Sequence, residues 1–453
     1  MEASSAQGKG ALVFYLGPGL KITMELTIHR GTHEIGGSCV ELKTEKTRLL
    51  IDFGIPLVTP EREPFDSKTL VGRSIDELKE TGDLPRIEGL YKNEAKSIDA
   101  VLISHSHLGP YGFLQYVNPE IPIYLSKGAE LLIEISDIFL PAKVGKLNTG
   151  TIKDKRQFKV GDLMITPFLV DPSAFDAMAF LVEADGKRLF YSGDFRGHGR
   201  KAALFKRMVE NPPKDIDCLL MEGSTLGRED TLYKTEEEVQ HRIEDILKER
   251  KNITFLSASS QNIDRIVSAY KACRRTGSIF VMDIYTAFIL DKLRKVSKNI
   301  PQFDWKDVRV KFWPAHAEAL AKAGYRDLLY VYNKRKIDTF ELARKRSKVL
   351  MVARNNHDFP RLLKEIGEVQ GAKIVYSMWE GYLTDTFRQF CAERGLVIEQ
   401  VRTSGHAGIE DLKAFANALN PKTLIPIHTF ESSKYPGLFE KVRVLKDGEA
   451  LDL

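Results

Sequence analysis

Apolar and β-branched residues fall in short runs through the first half of the chain, and these runs read as strands. Residues 25–29, 38–42, 48–53, 100–103, 163–169 and 178–184 fit this pattern. Asp185 and Gly186 then form a two-residue hairpin signal of type I′ into a further strand over 188–192. Helical spacing predicts a helix after Pro110 and another over 128–139. From about residue 226 the texture changes. A charged helical stretch at 235–250 opens it, and strands at 278–282 and 348–352 alternate with helices such as 262–275. Such alternation predicts a parallel sheet. Past about 397 short strands return, interrupted by a helix over 410–419. The fold class is α/β. Residues 24–225 and 397–453 form one domain, 226–396 an inserted α/β domain, and 1–23 an N-terminal extension or tag.

The strand over 100–103 runs into Ser104, His105, Ser106 and His107. Residues two apart on extended backbone point to the same side, so both imidazoles aim at one place. That place is the carboxyl end of a strand, where open α/β sheets bind ligands. Two histidines are half of a metal site. Gly109 and Pro110 follow and offer no donor atom.

Several segments in fixed order carry a resemblance. Asp52 and Gly54 close an apolar strand. Asp171, Pro172 and Ser173 follow another, and Ser192, Gly193 and Asp194 a third. Later come Glu222 with Gly223 and Ser224, then Ser404, Gly405 and His406, and then His428 with Thr429. Together with His105 and His107 they resemble the motifs of the metallo-β-lactamase fold in its β-CASP nuclease branch. That branch includes ribonuclease J and the cleavage-and-polyadenylation endonucleases. The resemblance implies an αββα sandwich with the inserted β-CASP domain, and metal-dependent hydrolysis of RNA phosphodiesters. It implies metal ligation by His105, His107, Asp194 and His428. It also implies that Asp52 orients a histidine ligand, that His406 contacts the scissile phosphate, and that Glu222 is the acidic residue of the first β-CASP motif.

The chain departs from the family at three expected ligand positions, Gly109, Pro110 and Pro172. The first metal keeps His105, His107 and Asp194; the second keeps only Asp194 and His428. Three ligands suit one zinc or manganese ion and two do not hold another, so the expectation is at most one ion per chain, or none. Two readings follow: a nuclease working with one metal, or a pseudo-nuclease that serves as a nucleic-acid-binding or protein-binding scaffold or regulatory subunit.

The stretch Ser257, Ser259, Ser260, Asn262 and Arg265 runs from strand through a Ser-rich turn into a helix. Helix N-termini with hydroxyls hold phosphate, and the region resembles the β-CASP nucleotide-phosphate loop. Ordinary capping of the helix by Ser or Asn explains it equally. Lys334, Arg335, Lys336, Arg344, Lys345, Arg346 and Lys348 form a basic cluster that reads as a phosphate track or as a solvated face.

Composition changes this picture little. A net charge of +5 over 453 residues permits an acidic partner without demanding one. The expected partners are RNA or another nucleic acid, and a second protein chain, identical or different. Cys39, Cys218, Cys273 and Cys391 are widely spaced and read as reduced thiols of a cytoplasmic protein. No apolar run reaches membrane-spanning length. The apolar patch 11–16 lacks a basic lead-in and does not read as a secretory signal.

Overall fold

The computed structural model describes residues 24–59, 63–140, 143–228 and 232–453. The expected extension over 1–23 lies outside them. Three sheets organise the described residues. The first has the strand order Ala450–Asp452, Glu25–Arg30, Cys39–Lys43, Arg48–Ile51, Ala100–Leu102, Ile123–Ser126, Thr149–Ile152. The second runs Thr423–Ile427, Cys218–Glu222, Lys187–Tyr191, Met178–Ala184, Leu163–Leu169, Phe158–Val160.

These two sheets pack face to face, with a helix layer outside each. Strand periodicity shows why. In Met178–Ala184 the residues Met178, Phe180 and Val182 enter the core between the sheets. Their neighbours Ala179 and Leu181 face outward under the helices Ala202–Glu210 and Ile409–Leu419. Arg48–Ile51 likewise sends Leu49 and Ile51 inward, and Leu50 to the core under the helices Ile75–Glu80 and Lys127–Phe139. Burial on both faces accounts for strands that read as continuous apolar runs rather than alternating ones. The hairpin forms as expected: Asp185 (φ 49°) and Gly186 (φ 75°) both take the left-handed values of a type I′ turn.

The third sheet is wholly parallel, in the order Val308–Lys311, Ile279–Asp283, Val349–Val352, Thr254–Ser257, Lys373–Tyr376, Val397–Gln400. Helices bury both of its faces. The boundary expected at 397 needs correction. Val397–Gln400 is the edge strand of this third sheet, in register with Lys373–Tyr376, and the chain rejoins the second sheet only at Thr423–Ile427. A short strand gives no local sign of which sheet it completes.

The helix expected after Pro110 also differs. It is a single turn, Leu108–Tyr111, that contains Gly109 and Pro110. A proline there is tolerated because first-turn N–H groups have no helical partner. The turn is fastened from outside, with the Phe53 N–H donating to the Pro110 carbonyl (2.6 Å) and the Ile55 N–H to that of Leu108 (3.0 Å). Gly54 is obligatory beneath it, since a Cβ there would lie 1.6 Å from the Gly109 carbonyl oxygen.

Candidate metal centre

The strand ends of the sandwich bring His105, His107, Asp194, Glu222, His406 and His428 together. Two groups share Asp194: His105 with His107, and His406 with His428, the ligand atoms of each lying within 4.8 Å of one another. Left-handed backbone at Asp52 (φ 59°), Gly193 (φ 52°) and His428 (φ 55°) turns the chain sharply as it leaves the strands. For the two non-glycine residues this conformation costs about 1 kcal/mol or more each, so the surrounding bonds must hold it.

Asp52 does not touch a histidine directly. Its carboxylate accepts from the Ser104 N–H (2.7 Å), the Ser104 hydroxyl (2.8 Å) and the Tyr191 hydroxyl (2.7 Å). Burial lifts its carboxyl to about 6, against the opposing pull of His105 and these donors, so it is ionised at neutral pH. With its one proton committed to Asp52, the Ser104 hydroxyl accepts from His105 Nδ1 at 3.0 Å. This relay fixes the His105 tautomer and leaves the Nε2 lone pair bare. That nitrogen is buried and, although Asp194 Oδ2 stands 3.2 Å away, the pair is not aligned as a regular hydrogen bond. The His107 ring sits edge-on to His105 at 4.8 Å, and burial holds it neutral, its pKa pushed down to about 3. Two imidazoles and a carboxylate form a donor set of the kind zinc takes. A lone pair buried opposite a carboxylate is unfavourable without a cation between them. The first group therefore fits one metal ion.

The second group is arranged differently. His428 Nδ1 accepts the Gly36 N–H at 3.1 Å, so the neutral ring carries its hydrogen on Nε2, the atom 3.7 Å from Asp194 Oδ1. His406 Nδ1 lies 3.2 Å from the Glu222 carboxylate, 3.2 Å from the Ser224 hydroxyl and 3.6 Å from Asp194. Burial opposes its charge, but Glu222 and Asp194 prevail and raise it to about 9, an imidazolium at neutral pH. Asp194 is held well below the usual carboxylate range: its own burial pushes up, and the surrounding histidines outweigh it. Gly109, Pro110 and Pro172 add no donor.

The expected phosphate loop is largely committed to structure. Asn262 caps its helix, accepting from the Arg265 N–H at 3.1 Å. Arg265 is buried and turned inward onto Glu236 (3.0 Å) and the Ser377 carbonyl (3.2 Å). This corrects its expected exposure to a ligand; its aliphatic stem and charge are absorbed by the domain junction. The Ser260 hydroxyl is buried against Thr286 and Arg354, Ser257 is buried in its strand, and of this set only Ser259 is exposed. In the basic cluster, Lys345 pairs with Glu341 and Arg346 with Glu368, as on an ordinary solvated face.

Sequence reading missed Ser104, Tyr191 and Arg196. Ser104 lies inside the His105 run and was visible as a hydroxyl beside a ligand. Arg196 follows Asp194 by two residues and had no distinguishing signal. It is buried and donates to Asp264 (2.8 Å) and to the carbonyls of Ser404 (2.7 Å) and Asp171 (3.1 Å), with Glu236 at 3.4 Å. It thus ties the loop carrying Asp194 to the loop carrying His406 and to the inserted domain.

Residues 82–252 match the family described as beta-lactamase superfamily domain, and 393–435 match the Zn-dependent metallo-hydrolase RNA specificity domain. Ribonuclease J 2 of Streptococcus pyogenes is 20% identical over 446 residues, covering 93% of this chain and 74% of the relative. Ribonuclease J of Mycoplasma genitalium is 22% identical, covering 92% and 68%. An RNase J-like protein of Methanocaldococcus jannaschii is 23% identical over 63% of each chain. Among solved structures, a protein of unknown function from Enterococcus faecalis superposes with a TM-score of 0.75 at 22% identity, over 95% of this chain and all of that one, which supports the fold. The ordered motifs, the two-sheet sandwich and these matches converge on a metallo-β-lactamase fold and on similarity to the β-CASP, ribonuclease J-like proteins.

Proposed function

We propose that the protein binds RNA and hydrolyses its phosphodiester bonds with a single zinc or manganese ion held by His105, His107 and Asp194. The observation that carries this reading is the bare, buried Nε2 of His105 opposite Asp194. A metal bound there supplies Lewis acidity toward a phosphoryl oxygen. The chain's own residues do the rest. Asp52, acting through Ser104, keeps the His105 proton on Nδ1. Glu222 and Ser224 hold His406 as a cation at the partly open edge of the site, where it would draw in a phosphate and offset charge developing on it. Four buried thiols are in keeping with a reducing compartment such as the cytoplasm.

The second reading, a pseudo-nuclease that binds RNA or a protein partner, draws on the second ligand group, where His428 Nδ1 accepts a backbone N–H and His406 is paired with Glu222. One experiment separates the two: cleavage of labelled 5′-monophosphate RNA with added zinc or manganese. Turnover that vanishes in His105→Ala supports the one-metal hydrolase. Salt-sensitive RNA binding without turnover, at full metal occupancy, refutes hydrolysis and leaves the scaffold.

A further inference from the structure

We infer that His428 is not a metal ligand but a fixed N–H group facing Asp194, locked in that tautomer by the Gly36 backbone. The inference rests on the proposed one-metal site and deepens it.

His428 is clamped by a single loop. Its own N–H donates to the Gly31 carbonyl at 2.7 Å, which holds the left-handed backbone in place. The Gly36 N–H, five residues along the same loop, donates to Nδ1 at 3.1 Å, and the Ser38 hydroxyl lies 3.4 Å from the same nitrogen. A backbone N–H is a donor only, so the Nδ1 that receives it has no hydrogen. A neutral imidazole has one N–H, which must then sit on Nε2. Nε2 faces Asp194 Oδ1 at 3.7 Å. A nitrogen that bears hydrogen has no lone pair to give a metal. Ligation through Nε2 would require an imidazolate, or a ring flip that leaves the Gly36 N–H unsatisfied in a buried site.

His105 makes the contrast. There a hydroxyl that accepts stands at Nδ1, and the lone pair is left on Nε2. The two histidines face the same carboxylate with opposite polarity. One offers a lone pair and calls for a cation; the other offers hydrogen and replaces one.

Position 109 explains how the loop comes to be there. A Cβ at Gly109 would meet the Gly36 Cα at 3.1 Å, closer than most real contacts. Absence of a side chain at 109 lets Gly36 approach, and Gly36 in turn sets His428. The missing ligand and the reassigned histidine are thus one structural change.

The test uses the full chain. Zinc content and zinc affinity are measured for the wild type, His428→Gln and His105→Gln, and the imidazole nitrogens are followed by ¹⁵N NMR during zinc titration. A glutamine amide retains an N–H donor. The expected result is at most one ion per chain, an affinity for His428→Gln within about threefold of wild type, and a loss of at least tenfold for His105→Gln, in the range that loss of a metal-site contact produces. In the wild type the His428 Nε2–H signal should persist at saturating zinc. Two ions per chain with one lost in His428→Gln would overturn the inference, as would disappearance of the Nε2–H on zinc addition. The NMR reading decides the matter even if no ion binds tightly. Failure to cleave RNA would refute the hydrolase and leave the tautomer result standing.

Discussion

Replacing Glu236 with glutamine should cost about 3 kcal/mol of stability at neutral pH, and two routes give that magnitude. Glu236 is 1% exposed at the first turn of Glu236–Glu249, and its carboxylate is shared by two buried guanidiniums, Arg265 at 3.0 Å and Arg196 at 3.4 Å. Removing one partner of a buried ion pair leaves uncompensated charge and typically costs about 3–5 kcal/mol. Independently, its burial raises the carboxyl pKa, but Arg265 and Arg196 prevail and bring it from 4.5 down to about 2. At 1.36 kcal/mol per pH unit this corresponds to about 3 kcal/mol. The sign follows from the depressed pKa. The contribution is complete above 4.5 and is lost as pH falls toward 2. Urea unfolding of wild type and Glu236→Gln at pH 7 and pH 3.5 should therefore show a gap that narrows on acidification. A gap under 1 kcal/mol at pH 7, or one equally wide at both pH values, would refute the reasoning.

Other perturbations have equally definite outcomes. Gly54→Ala forces a Cβ to 1.6 Å from the Gly109 carbonyl oxygen. It should destabilise by about 3 kcal/mol or more, the upper range for overpacking; an unchanged thermal melt would show that the turn at 108–111 is free to move. Phe415 is 1% exposed and stacks on Phe195 at 4.3 Å under the second sheet. Phe415→Ala should cost about 3–5 kcal/mol by denaturant unfolding. All four cysteines are buried, and burial raises the Cys218 thiol to about 12. A thiol reagent should label none in the native protein and all four in guanidinium; a rapidly labelled native thiol would contradict the packing.

The sandwich was legible because its strands carry period-two burial on both faces, which makes them conspicuous apolar runs. Met178–Ala184 and its hairpin turn formed as read. Val397–Gln400 was assigned to the wrong sheet because a strand's own residues do not name its neighbour. Motif order singled out His105, His107, His406 and His428, and the structure gathers them around Asp194. The polarity of those histidines was not legible. It is set by Ser104 at one ring and by a glycine N–H at the other, and the backbone donor leaves no trace in residue identity. Arg265 failed for a related reason. Its position at a helix start suggested a phosphate contact, but a buried glutamate from another helix claimed it.

The order of strands across the sandwich also constrains how the chain is made. Glu25–Arg30 and Cys218–Glu222 each wait for an outer neighbour, Ala450–Asp452 for one and Thr423–Ile427 for the other, and both neighbours come from the end of the sequence. During synthesis from the N-terminus, two sheet edges therefore stand open, with unpaired N–H and carbonyl groups, while the whole third sheet is built. Open edges of this kind recruit other strands. The last residues thus seal both sheets at once, and a chain cut short before them should aggregate through these edges rather than persist as a smaller folded unit.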